Sequence, residues 1–363
     1  MIASQDGFYM ARAIELAKNG RYTTDPNPRV GCVLVRDGNI IGEGWHFKAG
    51  SGHAEVEALK NCPDANGATA YVTLEPCSHY GKTPPCCDAL IKAGINRVVI
   101  AMQDPNPLVS GRGLEKLKEA GCEVSCGVLE EDAQHLNRGF IKRMMANRPF
   151  VRSKLAMSLD GRTAMESGES KWITSAEARV DVHRLRAESS AILTGINTVL
   201  ADDPSLNARV AWDVLQPIRV VLDSKLNMPV DAQMVKLQGR SLVLTCSEDQ
   251  EKIHALREVG FEVYTLAKKN ERLDLHAVMD FLAKQQINEL LIEAGSVLNG
   301  ALLAENLVDE WVVYIAPCIL GDQGRGLFVV PDLKNIADKK KFTLRDVRQV
   351  GSDLKLTLSQ ECF

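Results

Sequence analysis

The stretch from His53 to Cys87 constrains this chain more than any other. It runs H-A-E-V-E-A-L-K, later passes through an apolar A-Y-V-T-L, and reaches E-P-C-S-H-Y-G-K-T-P-P-C-C-D-A-L. One imidazole, two thiols in Pro-Cys settings and a carboxylate two residues from the imidazole make a donor set suited to zinc. Four protein ligands close such a site, whereas three leave the fourth position to water. His53, Cys77 and Cys86 supply three. Two thiolates and a neutral imidazole leave the divalent ion formally neutral, yet still able to bring the pKa of a bound water toward neutrality. Cys87 and His79 are the residues that could close the site as fourth ligands, and we read both as flanking it.

Glu55 takes the remaining role, that of general acid and base. Residues two apart on a regular helix are separated by about 200° of rotation, so His53 and Glu55 share one point only at a helix start. The spacing therefore predicts a helix opening at His53. A second helix is expected to open at Cys86 and run C-C-D-A-L-I-K-A-G, with Gly94 as its stop. Two positive helix ends favour thiolate over thiol, and a carboxylate beside the water can pass its proton to a departing amine. H-x-E followed by P-C and a second cysteine resembles the zinc deaminase signature, in which the glutamate is not a ligand. Here eight residues separate Cys77 from Cys86, against two in the short P-C-x-x-C form.

A chain of 363 residues is long enough for two domains of ordinary size. No apolar run approaches a membrane span, and the N-terminus lacks a basic region followed by an apolar stretch, so the expected location is the cytoplasm. In that setting the ten cysteines read as reduced thiols. Cys122 and Cys126 have no third ligand nearby and read as strand residues. A net charge of −4, with the basic residues scattered, gives no electrostatic case for a nucleic-acid partner.

Tyr9, Ala13, Leu16 and Ala17 recur at helical spacing before a stop at Gly20. Two apolar runs flank Asp37-Gly38, a hairpin turn. The preceding loop, 25–31, is stiffened by prolines and brings Asn27 to the sheet edge. There its amide can read the donor and acceptor pattern of a ring, or simply form a turn. Beyond the metal stretch, strand and helix alternate, which argues an α/β sandwich. The segment E-D-A-Q-H-L-N-R-G-F-I-K-R-M-M reads as one helix, ended by Ala146-Asn147-Arg148-Pro149, the expected domain boundary.

The second half opens with the strand F-V-R-S-K-L-A-M-S and continues with alternating strands and helices. Three late strands, 309–317, 342–347 and 354–359, lack crossover helices, so a mixed sheet is expected. The strand L-L-I-E-A runs into G-S-V-L-N-G-A-L-L-A. Gly295 and Ser296 thus open a helix at a strand end, where backbone N–H groups attract phosphate. The Rossmann fingerprint G-x-G-x-x-G is absent.

Taken together, P-N-P-R-V-G, H-A-E, E-P-C-S-H-Y-G-K-T-P-P-C-C, D-P-N-P, S-L-D-G-R-T-A, G-E-S-K-W-I-T, V-L-A-D-D-P and E-A-G-S resemble the bifunctional riboflavin biosynthesis proteins along the whole chain. That family joins a diaminohydroxyphosphoribosylaminopyrimidine deaminase to a 5-amino-6-(5-phosphoribosylamino)uracil reductase. The resemblance implies a cytidine-deaminase-like domain over 1–147 with one zinc, and over 148–363 a reductase domain similar to dihydrofolate reductase that uses NADPH. It implies cofactor contacts at Ala156, Trp172, Thr198, Asp202 and Ser224, and along the turn Gly295, Ser296, Val297, Leu298, Asn299, Gly300 and Ala301. It implies substrate contacts at Ser170, Arg186, Leu206, Arg209 and Glu293, with Lys154 a further site group. Arg186 and Arg209 could then clamp a phosphate through charge-assisted bonds. Without the resemblance, Lys154 and Arg186 would read as solvated surface charges. A homo-oligomer is expected. The alternative functions are a deaminase whose second half only positions substrate, and a nucleic-acid-binding protein.

Overall fold

The computed structural model describes residues 2–78, 84–106, 109–331 and 333–360. The chain divides into two compact units, Met1–Asn147 and Arg148–Phe363. Among the described residues no helix is long and apolar enough to cross a membrane.

In the first unit, α1 (Ile2–Lys18) leads into the hairpin β1 (Gly31–Arg36) and β2 (Asn39–Trp45). Then come α2 (Ala54–Lys60), β3 (Thr69–Val72), α3 (Cys86–Lys92), β4 (Arg97–Ile100), α4 (Arg112–Glu119), β5 (Glu123–Cys126), α5 (Glu130–Leu136) and α6 (Arg138–Ala146). Asp37 and Gly38 both take positive φ, 52° and 75°, as a two-residue hairpin turn of the primed type requires. The sheet order is β2-β1-β3-β4-β5. β1 is antiparallel to β2 and β3, and β3, β4 and β5 are parallel. Side chains alternate across the sheet: Cys32 and Leu34 pack with α2, α3 and α4, while Val33 and Val35 pack with α1 and α5.

The expected single helix after β5 is two helices. Asn137 leaves helical geometry at φ −114°. Its side chain accepts from the backbone N–H of Arg29 at 2.8 Å and donates to the Arg29 carbonyl at 2.9 Å. Pairing with a strand-like partner from the Asn27 loop outweighs helical continuity at this point.

Two glycines set where α2 rests. A Cβ on Gly42 would lie 2.7 Å from the Ala58 carbonyl oxygen, and one on Gly44 would lie 2.3 Å from the Ala58 nitrogen. Only hydrogen at those positions lets the helix backbone sit directly on β2.

The second unit contains β6 (Phe150–Ser158), β7 (Arg162–Ala164), α7 (Ala176–Glu188), β8 (Ala191–Gly195), α8 (Ile196–Asp202), β9 (Ile218–Leu222), β10 (Ser241–Thr245), α9 (Gln250–Glu258) and β11 (Glu262–Thr265). The ribbon β12 (Lys268–Lys269) and β13 (Arg272–Leu273) follows. The chain then continues through α10 (Leu275–Lys284), β14 (Glu289–Ile292), α11 (Ser296–Ala304), β15 (Glu310–Ala316), β16 (Arg325–Gly326), β17 (Phe342–Val350) and β18 (Asp353–Gln360). Nine strands form one sheet in the order β11-β10-β9-β8-β14-β6-β15-β18-β17. It is mixed: β15 is still parallel to β6, and antiparallel pairing begins at β18. Two apolar layers cover its faces, one including α10 and α11, the other α7, α8 and α9.

Candidate functional sites

In the first unit the metal-type donors come from three separate elements. His53 is the N-cap of α2, extended at φ −73° and ψ 164°, and Glu55 lies in the first turn. Cys86 is the first residue of α3, after Pro85. Cys77 follows β3. The donor atoms of His53, Cys77 and Cys86 all lie within 4.8 Å of one another. His53 Nδ1 is 3.2 Å from Cys86 Sγ and 3.6 Å from Cys77 Sγ. The backbone N–H of Cys86 donates to Cys77 Sγ at 3.3 Å. Hydrogen bonds from Cys86, ahead of those from His53, bring the Cys77 thiol down to about 4, whereas the Cys86 thiol is pushed up by sharing its proton with Cys77. His53 is raised, chiefly by its hydrogen bond to Cys77. Two sulfurs and one nitrogen at these separations fit a zinc ion with an open position.

No fourth metal-type donor joins the trio among the described residues. Cys87 turns away, with Sγ donating to the Pro76 carbonyl at 3.3 Å. His79 lies outside the described residues. Glu55 is 3% exposed, and burial, with the Cys77 charge second, lifts its carboxyl to about 7. It stands beside the donors rather than among them.

Two residues with no role in the sequence reading complete this site. His46, buried, packs edge-on to His53, with ring centroids 5.3 Å apart. Its Nδ1 meets the Gly52 carbonyl at 3.0 Å, so that nitrogen carries the proton, and Nε2 accepts from the Asn27 amide at 3.1 Å. Asn27 therefore has its nitrogen tied back and its oxygen left as acceptor. Glu75, also buried, accepts backbone N–H groups from Asp104, Gly111 and Gly113 at 3.1, 3.0 and 2.9 Å. It clamps the loop after β4 against the turn that carries Cys77. The E-P-C triplet marked this glutamate, but nothing local names its partners. Of the two cysteines read as strand residues, Cys126 ends β5 and is exposed, whereas Cys122, buried, lies one residue before the strand.

The second unit contains a cavity of about 1180 Å³. Lys154, Ala156, Ser170, Trp172, Arg186, Thr198, Asp202, Leu206, Arg209, Ser224 and Glu293 line it, as do Gly295, Ser296, Val297, Leu298 and Ala301. Asn299 and Gly300 do not belong to that wall. Asn299 is fully buried, accepting from Ser153 at 2.6 Å and donating to the Ala294 carbonyl at 2.7 Å. A Cβ on Gly300 would lie 2.0 Å from the Val329 carbonyl oxygen. Both lie on the helix face turned toward protein.

Arg186, expected with Arg209 to clamp a phosphate, is itself held by protein partners. Its Nε and one Nη donate to the two Glu293 oxygens at 2.6 and 2.8 Å, and the other Nη donates to the Asn207 carbonyl at 3.2 Å. Three of its five N–H groups are thereby committed. Burial pushes Glu293 up, but the Arg186 guanidinium outweighs it and holds the carboxyl below its ordinary range. Lys154 is lowered by burial and partly restored by Glu293, and its ammonium lies 6.0 Å from the Tyr314 ring centre. Neither Lys154 nor Arg186 is a solvated surface charge. At the mouth, Trp172 is 72% exposed beneath the Arg179 guanidinium, and Lys171 meets Asp202 at 3.1 Å.

Two family descriptions match this chain. Residues 3–102 match the cytidine and deoxycytidylate deaminase zinc-binding region, and residues 149–356 match the RibD C-terminal domain. A deaminase half and a reductase half in one chain define a bifunctional enzyme. The riboflavin biosynthesis protein RibD of Escherichia coli (strain K12) is 52% identical, over 98% of this chain and 99% of its own length. Among solved structures, Acinetobacter baumannii RibD superposes with a TM-score of 0.93 at 46% identity, covering 99% of this chain and all of the other. The Thermotoga maritima diaminohydroxyphosphoribosylaminopyrimidine deaminase/5-amino-6-(5-phosphoribosylamino)uracil reductase superposes at 0.87 with 36% identity, again over 99% and 100%. The chain belongs to the RibD family, the bifunctional deaminase/reductases of riboflavin biosynthesis.

Proposed function

We propose that residues 1–147 deaminate 2,5-diamino-6-(5-phosphoribosylamino)pyrimidin-4-one to 5-amino-6-(5-phosphoribosylamino)uracil. Residues 148–363 then reduce the ribosyl group of that product to ribityl. The observation that carries the first step is the convergence of His53, Cys77 and Cys86 within 4.8 Å, with the buried Glu55 alongside. These three residues would hold one zinc ion, which supplies the Lewis acidity that makes water nucleophilic at neutral pH. Glu55 takes a proton from that water and returns it to the nitrogen that leaves as ammonia. Its burial keeps the carboxyl near the midpoint needed for both directions of transfer. Asn27, oriented by His46, presents its amide oxygen to a ring N–H.

For the second step NADPH supplies the hydride. The N–H groups at the start of α11 and the residues Ala156, Trp172, Thr198, Asp202 and Ser224 would bind it. Glu293, Lys154 and Arg186 hold fixed charges beside the reacting sugar, and Ser170, Leu206 and Arg209 bind the rest of the substrate. A catalytically silent second half would have little use for a cavity in which a buried Arg–Glu pair and a partly buried lysine meet. We place the enzyme in the cytoplasm and expect a homo-oligomer through the reductase sheet, whose last strands carry Leu344 and Val347 half exposed.

The test is Glu55→Gln with metal analysis. The expected result is full zinc content, loss of ammonia release by about 10² or more, and continued NADPH oxidation on substrate already deaminated. A variant that deaminates at the wild-type rate would remove Glu55 from its role.

A further inference from the structure

Asn137, at the turn between α5 and α6, does more than interrupt a helix. It is 3% exposed and lies 108 residues from the loop it holds. Its amide accepts the Arg29 N–H at 2.8 Å and donates to the Arg29 carbonyl at 2.9 Å. One side chain thus serves both backbone groups of Arg29, as a neighbouring strand would. β1 begins only two residues later, at Gly31.

Further bonds run the same way. The Arg29 guanidinium donates to the Leu136 carbonyl at 2.9 Å, and Arg143 on α6 donates to the Pro26 carbonyl at 3.3 Å. Leu136 ends α5, and its carbonyl is one of those that a helix end leaves without an intrahelical partner. The α5–α6 turn therefore grips the chain on both sides of Asn27, at Pro26 and at Arg29.

Between those grips the backbone has little freedom. Pro26 and Pro28 have φ fixed by their rings, and Asn27, preceding a proline, is restricted to extended conformations. The Asn27 N–H is taken up by the Thr24 carbonyl at 2.9 Å. A displacement of Arg29 is thus carried to Asn27 rather than absorbed on the way. Asn27 is where this loop reaches the metal-type donors: its amide donates to His46 at 3.1 Å, and the His46 ring packs on that of His53.

We propose that Asn137 is a positioning residue of the deamination site, setting through the Arg29 backbone where the Asn27 amide oxygen meets a ring N–H of the substrate. The proposal rests on reading residues 1–147 as the deaminase and Asn27 as its ring contact. An asparagine that served only to end α5 would owe nothing to Asn27, and a double-mutant cycle separates the two roles.

The experiment measures kcat/KM for ammonia release in the full-length enzyme, with zinc content and NADPH oxidation on deaminated substrate as controls. Asn137→Asp keeps the acceptor for the Arg29 N–H and has no donor for the Arg29 carbonyl; Asn137→Ala removes both bonds without burying a charge, and each is combined with Asn27→Ala. We expect Asn137→Asp and Asn137→Ala each to lower kcat/KM by about tenfold or more, with zinc and NADPH oxidation unchanged. In the Asn27→Ala background the same substitutions should cost less than about twofold further. Wild-type deamination in Asn137→Ala, zinc loss in step with activity, or losses that multiply in the double variants would overturn the proposal. Wild-type deamination in Asn27→Ala alone would instead overturn the reading of Asn27 as ring contact, and the proposal would fall with it.

Discussion

Gly44→Ala tests whether β2 sets the metal site from behind. The φ of Gly44 is not positive, so alanine meets no backbone strain there, and the whole effect comes from contact. Its Cβ would lie 2.3 Å from the Ala58 nitrogen, 2.5 Å from the Ala54 carbonyl oxygen and 2.8 Å from the Glu57 carbonyl carbon. All three are backbone atoms of α2 or its first turn, so no side chain can rotate away. The helix must retreat by roughly 1 Å, an overpacking that costs about 1–3 kcal/mol in stability. α2 carries His53 and Glu55 at its start, whereas Cys77 and Cys86 stand on other elements. A shift of α2 therefore opens one side of a cluster now confined to 4.8 Å. A misplacement of about 1 Å at reacting groups costs on the order of 10²-fold in rate. The assay compares zinc content and ammonia release with NADPH oxidation on deaminated substrate. The expected result is loss of the first two with the third retained, because the second unit is a separate compact body. Full metal content and an unchanged deamination rate in Gly44→Ala would refute the argument that this contact positions the site.

Two further substitutions probe charges that the fold has paired. Arg186→Ala leaves Glu293, whose side chain is 13% exposed, without its bidentate partner. The expected cost is about 3–5 kcal/mol, read as a lower melting temperature and loss of NADPH oxidation with ammonia release retained, and an unchanged reductase would contradict it. Asp6 is 7% exposed and accepts from two Arg97 N–H groups and the Tyr71 hydroxyl, each at 2.8 Å. Arg97, ahead of opposing burial, holds its carboxyl below the ordinary 3.8. A depressed folded value means that the stabilisation is present above the unfolded pKa and is lost as pH falls through the folded one. Asp6→Asn should therefore flatten the fall in melting temperature between about pH 5 and 2, and an unchanged slope would show that the pair carries no such linkage.

What could be read from the sequence was whatever local chemistry decides. On a helix the H-x-E pair, about 200° apart in regular geometry, can share one point only at the start, and His53 is indeed the N-cap of α2. Asp37-Gly38 implied its hairpin through the φ values only such residues accept. What escaped depends on partners distant in sequence. Asn137 breaks its helix for Arg29, 108 residues away, and Arg186 is held by Glu293, 107 residues away. A helical stretch also exposes only part of its circumference to a ligand. That is why Gly295 to Leu298 and Ala301 reach the cavity while Asn299 and Gly300 face protein.

The seat of Gly300 shows a logic common to both units. In each, the working groups gather at the carboxyl ends of parallel strands, where a strand turns into a helix start and brings unpaired N–H groups with it. Cys77 follows β3, and the loop held by Glu75 follows β4. Likewise Ser224 follows β9, and Glu293 and Gly295 follow β14. The height of the site helix over its neighbours is then fixed from behind by glycine. Gly42 and Gly44 lie under α2, and Gly300 on α11 lies against the Val329 backbone, whose N–H donates to the Ser296 carbonyl at 3.1 Å. Glycine at position 300 thus bears on the cavity wall without lining it, because any side chain there would push the first turn of α11 off its seat.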